Sequence, residues 1–353
     1  MWLGVVLHAT IAYKTDPESG WPSDPSAQFS WLNGVYTFIH SFRMPLFFLV
    51  AGYFGRMVIT RSGRHYFTKQ RVDRILIPFI AGIIILVPLT MMPFHYYRYH
   101  YLQGISESDA MNRTLIMLFK WDGIAHLWFL YYLLMFYVAS LLASYLPSGF
   151  RNSFIYFFKP LLLRISLFHI LLISLLVFVI IYLGKAEVPP VYTGLKPKAF
   201  HFLYYGLFYL AGWILQIEKN SVPSLSRHGI MLTITGFLLM ILLSYNVFAN
   251  GSLPYLLTYS ILTVCFTGGI TGIFIKFAAS GSVRWRYFSD SAYWVYLVHM
   301  GVVAFLQLIF LDSSIPPQLR FPLILVLTFI FCMVTYHYLV RFTVIGRYLH
   351  GKR

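Results

Sequence analysis

Four residues within apolar stretches of the sequence are of types that could do chemistry. They are His8, His40, Arg43 and His299. His40 lies three residues before Arg43, so on a helix the two side chains share a face. Histidine is the usual general base because its imidazole titrates near neutrality, and arginine is a permanent cation that stabilises anions. The four positions lie at similar depths in their stretches, so they could converge on one site.

Arg43 is the most deeply placed charge, and no acidic residue lies at a matching depth. All eleven acids lie in loops or at the ends of apolar stretches. An unpaired guanidinium inside a membrane costs at least about 2.5–3.5 kcal/mol, so a functional role is expected. Its counter-charge would then be a ligand: a phosphate, a carboxylate or the developing oxyanion of a thioester under attack. The alternative is an arginine held by backbone carbonyls and helix C-termini, or reached by water.

The histidines also allow structural interpretations. The chain has 12 of them, and a single buried histidine more often joins helices by hydrogen bonds than takes part in catalysis. Helical metal sites favour ligands at i, i+3 or i, i+4, whereas His95 and His100 are five apart. Cys265 and Cys332 stand alone in apolar stretches, so neither a disulfide framework nor a zinc site is expected. We predict no metal.

Arg71 and Arg74 form a second basic pair, in the run Arg71-Val72-Asp73-Arg74. On an α-helix this i, i+3 spacing places both guanidinium groups on one face, where they could bind phosphate groups. Basic residues at the cytoplasmic end of a membrane helix are common, so the spacing alone favours an ordinary membrane anchor.

Transmembrane helices are the elements that must position these residues. Of the 353 residues, 59% are hydrophobic and 11% are charged, whereas soluble domains carry roughly 25% charged residues. The mean hydropathy is +0.70, and a membrane helix needs about 20 apolar residues. Ten stretches are interpreted as spans, the first of them short: Met1–Tyr13, Trp31–Phe54, Ile75–Tyr97, Ile124–Leu146, Ile165–Leu183, Ala199–Ile217, Gly229–Ala249, Pro254–Ala279, Ser289–Leu311 and Phe321–Val344. The predicted fold class is all-α, a polytopic membrane protein with residues 1–353 in a single domain.

The distribution of Lys and Arg predicts the orientation of the chain. Loops that alternate along the chain carry 18 of the 27 basic residues on one side and 8 on the other, and the remaining one is Arg43. Cytoplasmic loops are the basic ones, so ten spans with both termini in the cytoplasm are self-consistent. The net charge of +16 has the same origin, so no nucleic-acid partner is expected.

Five sequence blocks in order resemble the acyltransferase-3 superfamily, within its glucan-modifying branch. They are VVLHA around His8, HSFRMPLFFLVAGYF at His40–Phe54, RVDRILIPF at Arg71–Phe79, HLWFLYYLL at His126–Leu134 and YFSDSAYWVYLVHMGVV at Tyr287–Val303. Two features depart from the family pattern. Members begin earlier than seven residues before the first-span His, so that span is expected to be truncated here, and Ala51 replaces a frequent Ser.

The resemblance implies an O-acyltransferase in a bacterial inner membrane. It implies transfer of a succinyl or acetyl group from cytoplasmic acyl-CoA, a co-substrate rather than a bound cofactor, to a hydroxyl of an extracytoplasmic glycan or glycolipid. His8 falls on the proposed catalytic histidine of the family, and Arg71 and Arg74 fall on a pair associated with the acyl donor. Arg43 is predicted to stabilise negative charge on the reacting thioester or elsewhere on the acyl donor.

The matching blocks supply further residues that could line the site. These are His40, His126, Ser291, Tyr293 and His299. Membrane lipids are the remaining expected partners, and the sequence does not specify an oligomeric state. A transporter or flippase for a lipid-linked sugar is the alternative function. Proton-coupled transporters usually place Asp or Glu within spans, and this sequence places none there.

Overall fold

The computed structural model describes residues 1–118, 120, 123–149, 153, 156, 167–185, 188, 193–217, 221–277 and 283–350. Thirteen α-helices are present in these ranges, and no strand occurs in them. The helices are α1 (Trp2–Ile11), α2 (Trp31–Arg71), α3 (Ile77–Ala81), α4 (Val87–Tyr97), α5 (Glu107–Met117), α6 (Trp128–Ala143), α7 (Leu167–Leu183), α8 (Ala199–Ile217), α9 (Ser221–Ser244), α10 (Leu253–Phe277), α11 (Val283–Leu311), α12 (Pro317–Thr335) and α13 (Val344–His350). Wide π-helical turns continue several of them, at Val72–Leu76, Gly82–Leu86, Arg98–Leu102 and Tyr336–Val340.

Within the described residues, seven helical runs are long and apolar enough to cross a membrane, and α1 and most of α7 form two shorter apolar helices. Helices are the expected outcome in lipid, because every backbone polar group can then bond within its own segment. The described part of each predicted span lies largely in a helix. The protein is therefore an all-helical, multi-pass membrane protein.

The first long run, Trp31–Leu102, is two antiparallel arms rather than one straight helix. It breaks at Gly63, whose φ of +78° favours glycine. Tyr137 of α6 contacts both Gly55, before the break, and Phe67, after it. A straight helix would separate those two residues by about 18 Å at 1.5 Å per residue, so the chain has turned back at Gly63.

Three loop segments that are predicted to lie on one side of the membrane contact one another. Asp24, between α1 and α2, pairs with Arg320 at the start of α12. Tyr97, at the end of α4, is 3.4 Å from the Ser23 hydroxyl in that same first loop. These loops belong to the side that carries few Lys and Arg residues, and we call this end of the molecule the loop end.

Two groups of helices build the core. One cluster of buried side chains joins α2, α6, α8 and α10, and a second joins α1, α11 and α12. Helices α2 and α8 touch through glycines: a Cβ at Gly52 would lie 1.9 Å from the Tyr209 carbonyl oxygen, and one at Gly212 would lie 1.8 Å from that of Leu49. The two helices therefore approach closely at Gly52, next to Ala51.

Some predicted features lie wholly or partly outside the described residues. The span Ile165–Leu183 is described from residue 167, and Pro254–Ala279 is described to residue 277. The basic residues that lie outside are Arg151, Lys159, Arg164, Lys219, Lys352 and Arg353.

Candidate active site

A cavity of about 1280 Å³ lies between the two groups of helices. Five of the residues singled out from the sequence line it: His8, His40, Arg43, His126 and His299. Its lining also includes residues of the loop that joins α1 to α2 and of the loops around residues 185–198 and 244–250, so it reaches the loop end of the molecule. The predicted convergence of histidines with Arg43 is therefore present in the fold.

Three histidine rings form a chain along one wall of this cavity. The ring centroids of His8 and His299 are 5.2 Å apart, and those of His299 and His126 are 5.7 Å apart. Gly4 of α1 gives them room, because a Cβ there would lie 3.1 Å from both His299 Nε2 and Arg43 Nη1. A histidine on α1, one on α11 and one just before α6 thus meet beside the arginine of α2.

Backbone hydrogen bonds fix which ring nitrogen carries a hydrogen in two of these histidines. His299 Nδ1 lies 2.8 Å from the Val295 carbonyl oxygen and 2.9 Å from that of Tyr296. His126 Nε2 lies 3.1 Å from the Leu297 carbonyl oxygen. A carbonyl only accepts, so each of these nitrogens donates its hydrogen. The lone pairs of the neutral rings are then on His299 Nε2 and His126 Nδ1, which are enclosed and have no hydrogen-bond partner among the residues that the structure describes.

Arg43 has no ion pair within the described residues, and its Nε is enclosed without a hydrogen-bond partner. In the described part of the lining the acids are Asp16 and Glu18, both in the loop between α1 and α2. Glu18 already accepts a hydrogen bond of 2.6 Å from Tyr36 Oη. Within the described residues, no acidic side chain therefore forms an ion pair with Arg43.

His8 has neighbours that sequence reasoning missed. Its ring lies parallel to that of Trp21, with centroids 5.6 Å apart and planes 3° apart. Trp21 Nε1 donates to Gln307 Oε1 over 2.8 Å. Trp21 is in a loop with no periodic pattern, and Gln307 is a lone amide in an apolar helix, so no local signal marked either residue.

Comparisons with known proteins identify the family of the chain. The sequence matches the Acyltransferase domain family over residues 1–337. The chain belongs to the acyltransferase-3 family. It is an acyltransferase that transfers groups other than aminoacyl groups.

Several proteins that are similar in sequence to this chain have the same name. The chain is 27% identical to "Glucans biosynthesis protein C" of Salmonella gallinarum over 328 residues, which cover 86% of this chain and 80% of that protein. It is 34% identical to the Salmonella typhi protein of that name over 135 residues, 37% of this chain and 32% of that protein. For the Escherichia coli K12 protein the identity is 32% over 160 residues, 43% of this chain and 37% of that protein. The chain thus aligns with about a third of the length of the latter two, and no solved structure matches it.

Four other predicted site residues of the acyltransferase lie outside the cavity lining. Arg71 stacks over Tyr137 at 4.3 Å, and its Nε and Nη2 are enclosed without partners. Arg74 lies in the wide turn Val72–Leu76, so the α-helical i, i+3 geometry expected for this pair does not apply. Ser291 Oγ donates to the Phe288 carbonyl oxygen. The Tyr293 ring stacks beside Tyr296, which does line the cavity.

No group of three or more His, Cys, Asp or Glu side chains that could hold a metal occurs in the described ranges. The polar groups that line the cavity of the acyltransferase include imidazoles, tyrosine hydroxyls and the guanidinium of Arg43. These can accept a proton and stabilise an anion, which are the two needs of acyl transfer to a hydroxyl.

Replacing Arg43 by Met tests whether its charge is unpaired. We expect the melting temperature of the purified protein to stay the same or rise, because the substitution removes a desolvated charge that has no partner. Arg320→Met is the matched control. Arg320 donates to Asp24 and to the Ser313 and Ile315 carbonyl oxygens, and breaking such a buried pair costs about 3–5 kcal/mol. Equal losses of thermal stability in the two variants would show that Arg43 is paired.

Proposed function

We propose that this protein moves a succinyl or acetyl group from cytoplasmic acyl-CoA to a hydroxyl of an extracytoplasmic glycan or glycolipid, in a bacterial inner membrane. The main support for the proposal is one cavity that is lined by His8, His126, His299 and Arg43. The name of the relatives, glucans biosynthesis, supports a glycan as the acceptor. The opening of the cavity at the loop end supports entry of that acceptor from the side with few basic residues.

The proposed topology has ten spans with both termini in the cytoplasm. The fold-back at Gly63 supports counting Trp31–Leu102 as two spans, and the shorter helices α1 and α7 would complete the set. The basic loops then face the cytoplasm, as the distribution of Lys and Arg requires. The loop end, with the mouth of the cavity, faces outward.

A reporter fused to the C-terminus tests this orientation. Alkaline phosphatase, which is active only outside the cytoplasm, should stay inactive after Arg353, while a reporter that is active in the cytoplasm should give signal there. Strong phosphatase activity would exclude the proposed orientation.

The acyl donor is proposed to bind with its phosphates at Arg71 and Arg74. Arg71 contacts Tyr137 on α6, which lies eleven residues beyond His126, or about 16 Å along a helix at 1.5 Å per residue. The flexible pantetheine arm of CoA would bridge this distance and bring the thioester to Arg43. The unpartnered nitrogens of Arg71 support a role for this residue in binding an anion.

Replacing Arg71 and Arg74 together by Gln should weaken acyl-CoA binding while the protein stays folded and inserted. Both guanidinium groups would be lost as phosphate donors. Arg61→Gln, a nearby exposed arginine, is the control. Binding of a CoA thioester to purified protein measures the effect, and equal losses for the double variant and for Arg61→Gln would mean that the charge acts only generically.

In the proposed reaction His8 is the general base. It takes the proton of the acceptor hydroxyl as the oxygen attacks the thioester carbonyl carbon, and Arg43 stabilises the oxyanion that forms. The new C–O bond forms, the C–S bond breaks, and the proton passes from His8 to the departing CoA sulfur. His8 lies on α1 near the loop end, so the base is placed on the side of the acceptor.

His8→Ala should abolish transfer and leave acyl-CoA binding nearly intact. A positioned base contributes about 10²–10⁴-fold in rate, and His8 is proposed to touch the acceptor rather than the donor. His95→Ala, which removes a buried histidine outside the described cavity lining, is the matched control and should retain activity. More than a few per cent of activity in a well-expressed His8→Ala protein would rule out His8 as the base and make His299 or His40 the next residue to test.

A further inference from the structure

His8 lacks the hydrogen-bonded orienting group that a general base usually has. In known catalytic sites a third group, often a carboxylate, holds the base in one orientation and tautomer. His8 Nδ1 is enclosed and has no hydrogen-bond partner within the described residues. Another interaction must therefore fix the orientation of this ring.

The ring of Trp21 provides that interaction. It lies parallel to the His8 ring at 5.6 Å, and its edge contact with Phe94, at 4.9 Å and 83°, supports it from another side. Trp21 is only 6% exposed. An aromatic platform for a sugar needs an open face, so burial to this degree favours a positioning role over direct stacking on the acceptor.

Gln307 of α11 connects Trp21 to the backbone of His8 itself. Its Oε1 accepts from Trp21 Nε1 over 2.8 Å, and its Nε2 donates to the His8 and Ala9 carbonyl oxygens over 3.2 and 3.1 Å. The last four carbonyls of a helix have no partner within it, and those of His8 and Ala9 are among the last four of α1. Gln307 therefore caps α1 and holds the ring that stacks on His8.

These contacts leave little freedom to either residue. Gln307 is 1% exposed, and both of its amide hydrogens and its carbonyl oxygen are engaged. The loop that carries Trp21 is fixed further along by Asp24, which pairs with Arg320. Hydrogen bonds and stacking thus connect Trp21, Gln307 and the end of α1.

We propose that Trp21 and Gln307 are positioning residues that hold the imidazole of His8 in its reactive orientation. Stacking sets the plane of the ring, and the amide of Gln307 fixes both the stacking partner and the backbone from which the ring projects. This inference rests on the proposed role of His8 as the base.

Gln307→Leu tests the proposal, because leucine fills a similar volume without the three hydrogen bonds. We expect kcat to fall about 10- to 10²-fold, since small displacements of a reacting group are that costly. The KM for acyl-CoA should not change, because the donor site is proposed to lie far along α6. Carbethoxylation of His8 by diethyl pyrocarbonate, measured by peptide mass spectrometry, should become faster as the ring is released.

Graded variants of Trp21 refine the test. Trp21→Phe keeps an aromatic ring and should lose less activity than Trp21→Leu, which removes the stacking. Trp285→Phe, at an exposed tryptophan of α11 outside the cavity lining, and Ser174→Ala, which removes a buried hydroxyl from α7, are controls that should not change the modification rate of His8.

A purely structural role would give a different result. Activity of Gln307→Leu would then fall only in proportion to the loss of folded protein, and the modification rate of His8 would equal that of the wild type; that outcome would overturn the proposal. If Gln307→Leu does not fold, the activity and the His8 modification rate of Trp21→Phe and Trp21→Leu are compared instead. Equal values in these two variants would overturn the proposal. The two proposals can fail separately. Activity in the His8→Ala protein would refute His8 as the base, whereas the rate at which His8 is modified in Gln307→Leu would still show whether Gln307 orients the ring.

Discussion

The charge of Arg43 has to be accommodated in the interior of a helical membrane protein without an acidic partner in the described part of the chain. Lipid cannot solvate it, and the acids of the cavity lining are confined to the loop between α1 and α2. The groups that line the cavity with it include imidazoles, two of which donate to backbone carbonyls. An anion would complement the positive charge of such a site, which supports the proposed role of Arg43 in stabilising the oxyanion.

The fold provides this site by dividing its core. One group of helices carries Arg43 on α2, and the other carries His8 on α1 and His299 on α11. The cavity lies where the two groups meet, and Gly4 allows α1 to approach both Arg43 and His299. Packing within each group is close, with glycine contacts between α2 and α8. Both polar and apolar side chains line the space between the groups.

Much of this arrangement could be predicted from the sequence, and for identifiable reasons. Apolar length alone predicts the helices, since lipid permits few alternatives to them. Depth within the spans predicted that His8, His40, Arg43 and His299 would converge, because helices that cross the same membrane place residues of equal depth at one level. Sequence patterns could not predict the partners of His8. Gln307 is 286 residues from Trp21 in sequence, and no local rule connects a loop aromatic with an amide in a distant helix.

The wide turn at Val72–Leu76 is a second feature that spacing could not predict, since an i, i+3 pair shares a face only on an α-helix. The Arg71 guanidinium stacks on the ring of Tyr137, whereas Arg74 lies in a turn of different geometry. The two guanidinium groups are therefore not held as one rigid pair. Such a pair would suit the several phosphates of the proposed acyl-CoA donor better than a single phosphate. Residues of the cavity near the loop end, by contrast, are held by backbone hydrogen bonds and stacking, which would suit the proton transfer proposed for this site.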